Sequence, residues 1–114
     1  MSVLVAAFVA VLVVLCLGAA DVARVLTEAA EAQTAADAAA LAAAQELALP
    51  GDLEPADVAR EYAVRNGAEL VDCTCERETF EAVVRVRAPV GPLLLFADDR
   101  SVEAVARAVV DLPS

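Results

Sequence analysis

Cys73-Thr74-Cys75 is where two reactive side chains stand closest in sequence. Two thiols at i and i+2 share one face of an extended strand, which is a beginning for a metal or redox centre. Zinc takes about four ligands, however, and the chain has no histidine to complete the set. A bond between the two thiols is awkward in an extended strand. They are therefore expected to pack in a core or to bridge to a partner chain. The third cysteine, Cys16, lies inside an apolar run and is read as a small hydrophobe; an odd number gives no complete disulfide framework. Histidine and lysine are both absent, which removes the usual general bases, Schiff-base amines and phosphate-loop lysines. Ser2, Ser101 and Ser114 have no imidazole to activate them, and the carboxylates are scattered rather than paired in an apolar setting. No phosphate-binding glycine loop is present. The expectation is a protein that is not an enzyme, with no cofactor and no metal.

The balance of charge narrows the partners. A net charge of −10 repels nucleic-acid phosphates and anionic lipid headgroups, so no nucleic-acid partner is expected. The hydrophobic fraction of 61% exceeds the roughly one half usual for a soluble domain. Much of the excess lies in Val3–Ala20, which carries no charge. In a helix these ~18 residues rise about 27 Å, close to the ~30 Å hydrocarbon core of a bilayer. A cleaved signal peptide would use Gly18 and Ala20 before the cut, but no basic n-region precedes the run. A lipoprotein signal fits poorly because Leu15 stands before Cys16. A retained membrane anchor fits best, since helical composition continues past Ala20; Val5, Phe8, Leu12 and Leu15 are its expected lipid-facing residues. Residues 1–20 are thus assigned to the membrane, 21–49 to a continuing stem and 52–114 to a small head.

Between Ala20 and Pro50 there is neither glycine nor proline, so one helix from about Val3 to Leu49, about 70 Å long, is the economical reading. Asp21, Arg24 and Glu28 are spaced to pair on a solvated face where it leaves the lipid. Ala29, Ala32, Ala36, Ala39 and Ala43 repeat at three and four, a stripe without a large side chain. A GC-rich coding sequence explains much alanine but not its concentration between Ala29 and Ala48. Such a stripe allows close helix–helix approach, either against neighbouring stems or, alternatively, against the chain's own head. The head is too small to cover a stem of this length, which favours neighbouring stems.

Pro50 and Gly51 stop the stem. A second helix is predicted from about Pro55 to Arg65, with Glu54 at its cap, an apolar face of Val58, Ala59, Tyr62 and Ala63, and a left-handed end at Asn66-Gly67. The period then becomes two. Val71, Cys73 and Cys75 fall on one face, and so do Phe80, Ala82, Val84 and Val86 of the next segment, which predicts an antiparallel hairpin. Odd numbers face inward in one strand and even numbers in the other. That parity requires an even loop within Glu76–Thr79, and four residues suit it because no Gly or Asn marks a tight turn. The second helix is the expected cover of the inward face, through Val58, Tyr62 and Ala63. After an apolar knot at Leu93–Phe96, the segment Ser101–Val110 reads equally well as strand or helix.

The segment VARVLTEAAEAQTAADAAALAAAQEL, behind an apolar run, resembles the stem of TadE/TadG-like proteins, in particular the short helicase/secretion-neighbourhood TadE-like type. The signature is Gln33, Ala35, Ala36, Asp37, Ala39, Ala40, Leu41, Ala42, Ala43 and Ala44, followed by Asn66-Gly67-Ala68 and Leu70-Val71-Asp72-Cys73 in the family's order. The resemblance implies a pilin-like or pseudopilin-like component of a tight-adherence (Flp, type IV-like) pilus or a related type II secretion apparatus. It also implies a third strand for the last segment, a head outside the cytoplasm, and oligomers with itself or other pilin-like subunits. Prepilins carry a glycine before the apolar helix and usually a glutamate five residues in; Val5–Ala7 supply no acid, so processing by a prepilin peptidase stays open. The expected fold is α+β: a long N-terminal membrane and stem helix, then one helix and a three-stranded antiparallel sheet.

Overall fold

The computed structural model describes residues 2–49, 51–90 and 100–111 of the 114-residue chain. Its elements are α1 (Ser2–Ala48), α2 (Pro55–Arg65), β1 (Glu69–Glu76), β2 (Glu81–Val90) and β3 (Arg100–Val109). The α+β class with an N-terminal stem is therefore observed, and the last segment is a strand. The apolar knot at residues 93–96 lies outside the described residues.

Helix α1 runs 47 residues without interruption. Alanine, the best helix former, dominates its second half, and no proline occurs before residue 50. The helix ends where the Leu49 amide makes a last bond to the Gln45 carbonyl at 2.8 Å, and the Gly51 amide donates to Glu46 Oε1 at 2.8 Å. A Cβ at residue 51 would stand 2.8 Å from that same oxygen, so a larger residue here would push the Glu46 carboxylate aside and cost this bond.

Helix α2 starts with Pro55 in its first turn and closes with paired reverse bonds, Gly67 N–H to the Val64 carbonyl and Ala68 N–H to the Ala63 carbonyl. That closure places Gly67 at φ +79°, where a Cβ would be strained. Its buried residues are Pro55, Val58, Ala59 and Ala63, while Tyr62 sits at the margin and is exposed.

The sheet is antiparallel in the order β1-β2-β3. The β1–β2 connection is a four-residue loop, residues 77–80, one residue later than expected; Phe80 takes φ +55° to close it and still packs against the core. Cys75 pairs with Ala82 and Cys73 with Val84, which is the odd-sum parity read from the sequence. The register then shifts between Leu70 and Asp72. This bulge turns Val71, expected inward, out to solvent and puts Leu70 against the core in its place. On the outer face Arg87 pairs with Glu103 at 3.0 Å and Arg107 with Glu81 at 2.7 Å. Such exposed pairs contribute only ~0–1 kcal/mol each.

The inward face is not covered chiefly by α2. The core joins Ala82, Val84, Val86 and Ala88 of β2, and Ala104 and Ala106 of β3, to Ala32, Ala35, Ala36, Ala39, Ala40, Ala43, Ala44 and Leu47 of the stem, with Ala59 and Ala63 of α2 at its flank. The reason is geometric. Strands of about ten residues are longer than α2 but match the alanine half of α1. The stem from Ala32 onward is thus part of the head, not a support beneath it. Arg77 lies 3.6 Å from Glu54, so the hairpin turn stands at the distal end of the stem. The opposite end of the sheet, at Val90 and Arg100, points back toward the apolar half of α1.

Because Ala39 is wholly buried beneath the sheet, Ala39→Leu should destabilise the folded head by about 1–3 kcal/mol through overpacking. Ala29→Leu, at an exposed position, should stay within about 0.5 kcal/mol of the parent. Denaturant titrations of the two variants in detergent distinguish these outcomes, and equal stabilities would remove the stem from the head's core.

Candidate functional site: two faces of the stem helix

The residues singled out in the stem divide into two sets. Val5, Phe8, Leu12 and Leu15 are all exposed, as is every residue from Ser2 to Cys16. This half of α1 is long and apolar enough to cross a membrane, and none of it is buried by the rest of the chain. Cys16, expected to pack as a small hydrophobe, is a free thiol on that same exposed surface.

The alanine stripe behaves differently. Ala29 is exposed, but Ala32, Ala36, Ala39 and Ala43 have no accessible surface in the single chain. Where stem-to-stem packing was expected of them, their partner is the chain's own sheet. A signal for this was present in the sequence. Ala35 and Ala42 flank the stripe on one side and Ala40 and Ala44 on the other, an arc wider than one helix–helix seam needs and suited to a sheet.

Gln33 and Asp37, one helical turn apart, have their own geometry. Gln33 Nε2 donates to Asp37 Oδ1 at 3.0 Å and to the Val105 carbonyl at 3.2 Å. The Asp37 carboxylate holds the amide so that it reaches the backbone of β3, an edge strand. Edge strands offer main-chain groups to any passing strand, and a side chain that occupies one of them blunts that template. Sequence reasoning found both residues as part of a signature but not this contact, because it joins positions 72 residues apart.

Asp21, expected on a solvated face, is instead 2% exposed, and both it and Arg24 are engaged in interactions. Cys73 and Cys75 are joined to each other by a disulfide, contrary to the expectation of free packing or a bridge to a partner. Their Cα atoms are 5.8 Å apart, closer than the ~6.6 Å of a flat strand and within the range a bridge requires. Among the described residues, no group of three or more Cys, Asp or Glu side chains is placed to hold a metal.

The helix is continuous, apolar for half its length and alanine-lined for the other, and Gln33 and Asp37 stand at the boundary of its buried face. Residues 1–46 match the family model described as putative Flp pilus-assembly TadE/G-like. Over that segment, less than half of the chain, the stem is similar to TadE/G-like proteins. The match ends at Glu46, so it contains the whole signature from Gln33 to Ala44 and stops short of α2 and the sheet. No curated protein and no solved structure matches the chain. The alanines within the matched segment form the floor on which the head folds.

Gln33→Ala removes the donor to Val105 and should lower stability by about 0.5–1.5 kcal/mol. A urea titration in micelles that gives the parental midpoint would show that the contact contributes nothing.

Proposed function

We propose that the chain is a single-pass, membrane-anchored structural component of a Flp (tight-adherence) pilus-assembly apparatus, a pilin-like subunit with its acidic head outside the cytoplasm. The observation that carries this reading is the coincidence of the family match, residues 1–46, with a single helix whose uncharged half runs unbroken into the alanine signature. The work is mechanical rather than catalytic. The apolar half holds the protein in the membrane, and the helix transmits the position of that anchor to the head without a flexible joint. Neighbouring pilin-like subunits would meet it through the exposed part of α1, Val5, Phe8, Leu12 and Leu15, and Ala29, since Ala32, Ala36, Ala39 and Ala43 are occupied within the chain.

A second reading has one specific observation in its favour. With its alanine face already buried, the stem resembles a finished anchor more than one awaiting a neighbour, and the chain would then be a membrane-held scaffold that does not polymerise. Cell fractionation separates the two. The subunit reading expects the chain in sheared pilus fractions, and its restriction to the membrane fraction would favour the scaffold. Both readings place the head outside. Protease added to spheroplasts should therefore degrade the region after Leu49 while the helix stays with the membrane, and full protection of that region would contradict the orientation.

A further inference from the structure

Where α1 leaves its uncharged run it has two unlike sides. On one side Asp21 is buried and Leu17, Val25 and Glu28 are half-buried, and this side leads into the alanine face beneath the sheet. On the other side Leu15, Ala19, Val22 and Leu26 follow at spacings of four, three and four. Val22 and Leu26 remain 57% and 64% exposed, and with Val14, Leu15, Gly18 and Ala19 they line a shallow apolar groove. At about 100° per residue the charged side chains of this region, Asp21, Arg24, Glu28 and Glu31, all fall outside that stripe.

We propose that the stripe of Val22 and Leu26 is covered by lipid. Helix α1 then crosses the bilayer obliquely, its lipid boundary near Asp21 on the head's side and near Leu26 on the opposite side. The inference rests on the membrane-anchored reading above. Three observations choose lipid over a protein partner. The stripe continues the exposed apolar surface of residues 2–16 without a break. Past the uncharged run, Val22 and Leu26 offer on the order of 200 Å² of apolar surface, well below the roughly 600 Å² that each partner of a stable protein interface buries. The groove is lined entirely by Val, Leu, Gly and Ala, so it has no polar side chain with which to specify a protein partner.

The geometry closes. Leu26 lies five residues beyond Asp21, about 7.5 Å of rise, and across a helix about 10 Å wide that difference requires a tilt of about 37°, inside the ~0–40° range of membrane helices. An upright helix over residues 3–20 spans about 27 Å, slightly short of the ~30 Å hydrocarbon core. Residues 3–26, about 36 Å long, span about 29 Å at that tilt. A tilt in this direction lifts the head, which occupies the opposite side of the helix, away from the headgroups.

Spin labels at single cysteines test this in the full chain, with Cys16→Ala to remove the free thiol, reconstituted in phosphatidylcholine vesicles. Labels are placed by Leu12→Cys, Arg24→Cys and Leu26→Cys, and their collision with oxygen is compared with that with a water-soluble nickel chelate. The expected result is lipid-like accessibility at 12 and 26 and water-like accessibility at 24, although position 24 is nearer the membrane along the helix axis. Lipid at 12 with water at both 24 and 26 means an upright helix and overturns the tilt alone. Lipid at all three means an evenly sunken helix and overturns it too. Water at all three removes the anchored reading itself. Spin–spin broadening at 26 that disappears on dilution with unlabelled chain assigns the stripe to a second copy instead.

Discussion

The fold depends on how closely a sheet can approach a helix that has only methyl groups on the facing surface. Ala32, Ala36, Ala39 and Ala43 leave no side chain standing between the α1 backbone and the inner face of β2 and β3. That proximity has a cost in driving force, since an alanine buries little apolar area. The sheet answers in kind: Ala82, Ala88, Ala104 and Ala106 line it, and Val84 and Val86 are the largest side chains fully buried. The core is therefore tight and shallow, with its uniqueness resting on shape. Enlarging any of these alanines has nowhere to go.

One consequence is mechanical. The segment that closes the head's core is covalently the same helix as the apolar half, with neither glycine nor proline from Ala19 to Leu49 to act as a joint. The molecule, 76 Å in its longest dimension, is a rod with a sheet laid along one end. Such a rod would convey any displacement of its apolar end directly to the head. The pair Gln33 and Asp37 sits at the start of the buried face and holds the edge strand β3 to the rod.

Local elements could be read from residue types because their determinants are local. The ends of α2 follow from Pro55 and from the left-handed Gly67, and the hairpin parity follows from strict alternation along β1 and β2. What covered the sheet could not be read this way. Alanine at spacings of three and four suits a neighbouring stem and the chain's own strands equally, and only the width of the alanine arc favours the strands. The bulge at Val71 and the link between Cys73 and Cys75 were hidden for a related reason: both depend on twist and register, which alternation does not encode. The third strand came from family resemblance, not from its periodicity, which is compatible with either element.

The alanine face of the stem is half of the head's core, and the sheet depends on it. Two fragments decide it most directly, residues 29–114, which keep that face, and residues 52–114, which lack it. Amide exchange monitored by NMR should show protected β2 and β3 amides in the longer fragment and none in the shorter one. Equal protection in the shorter fragment would contradict the claim, because the sheet would then fold without its floor.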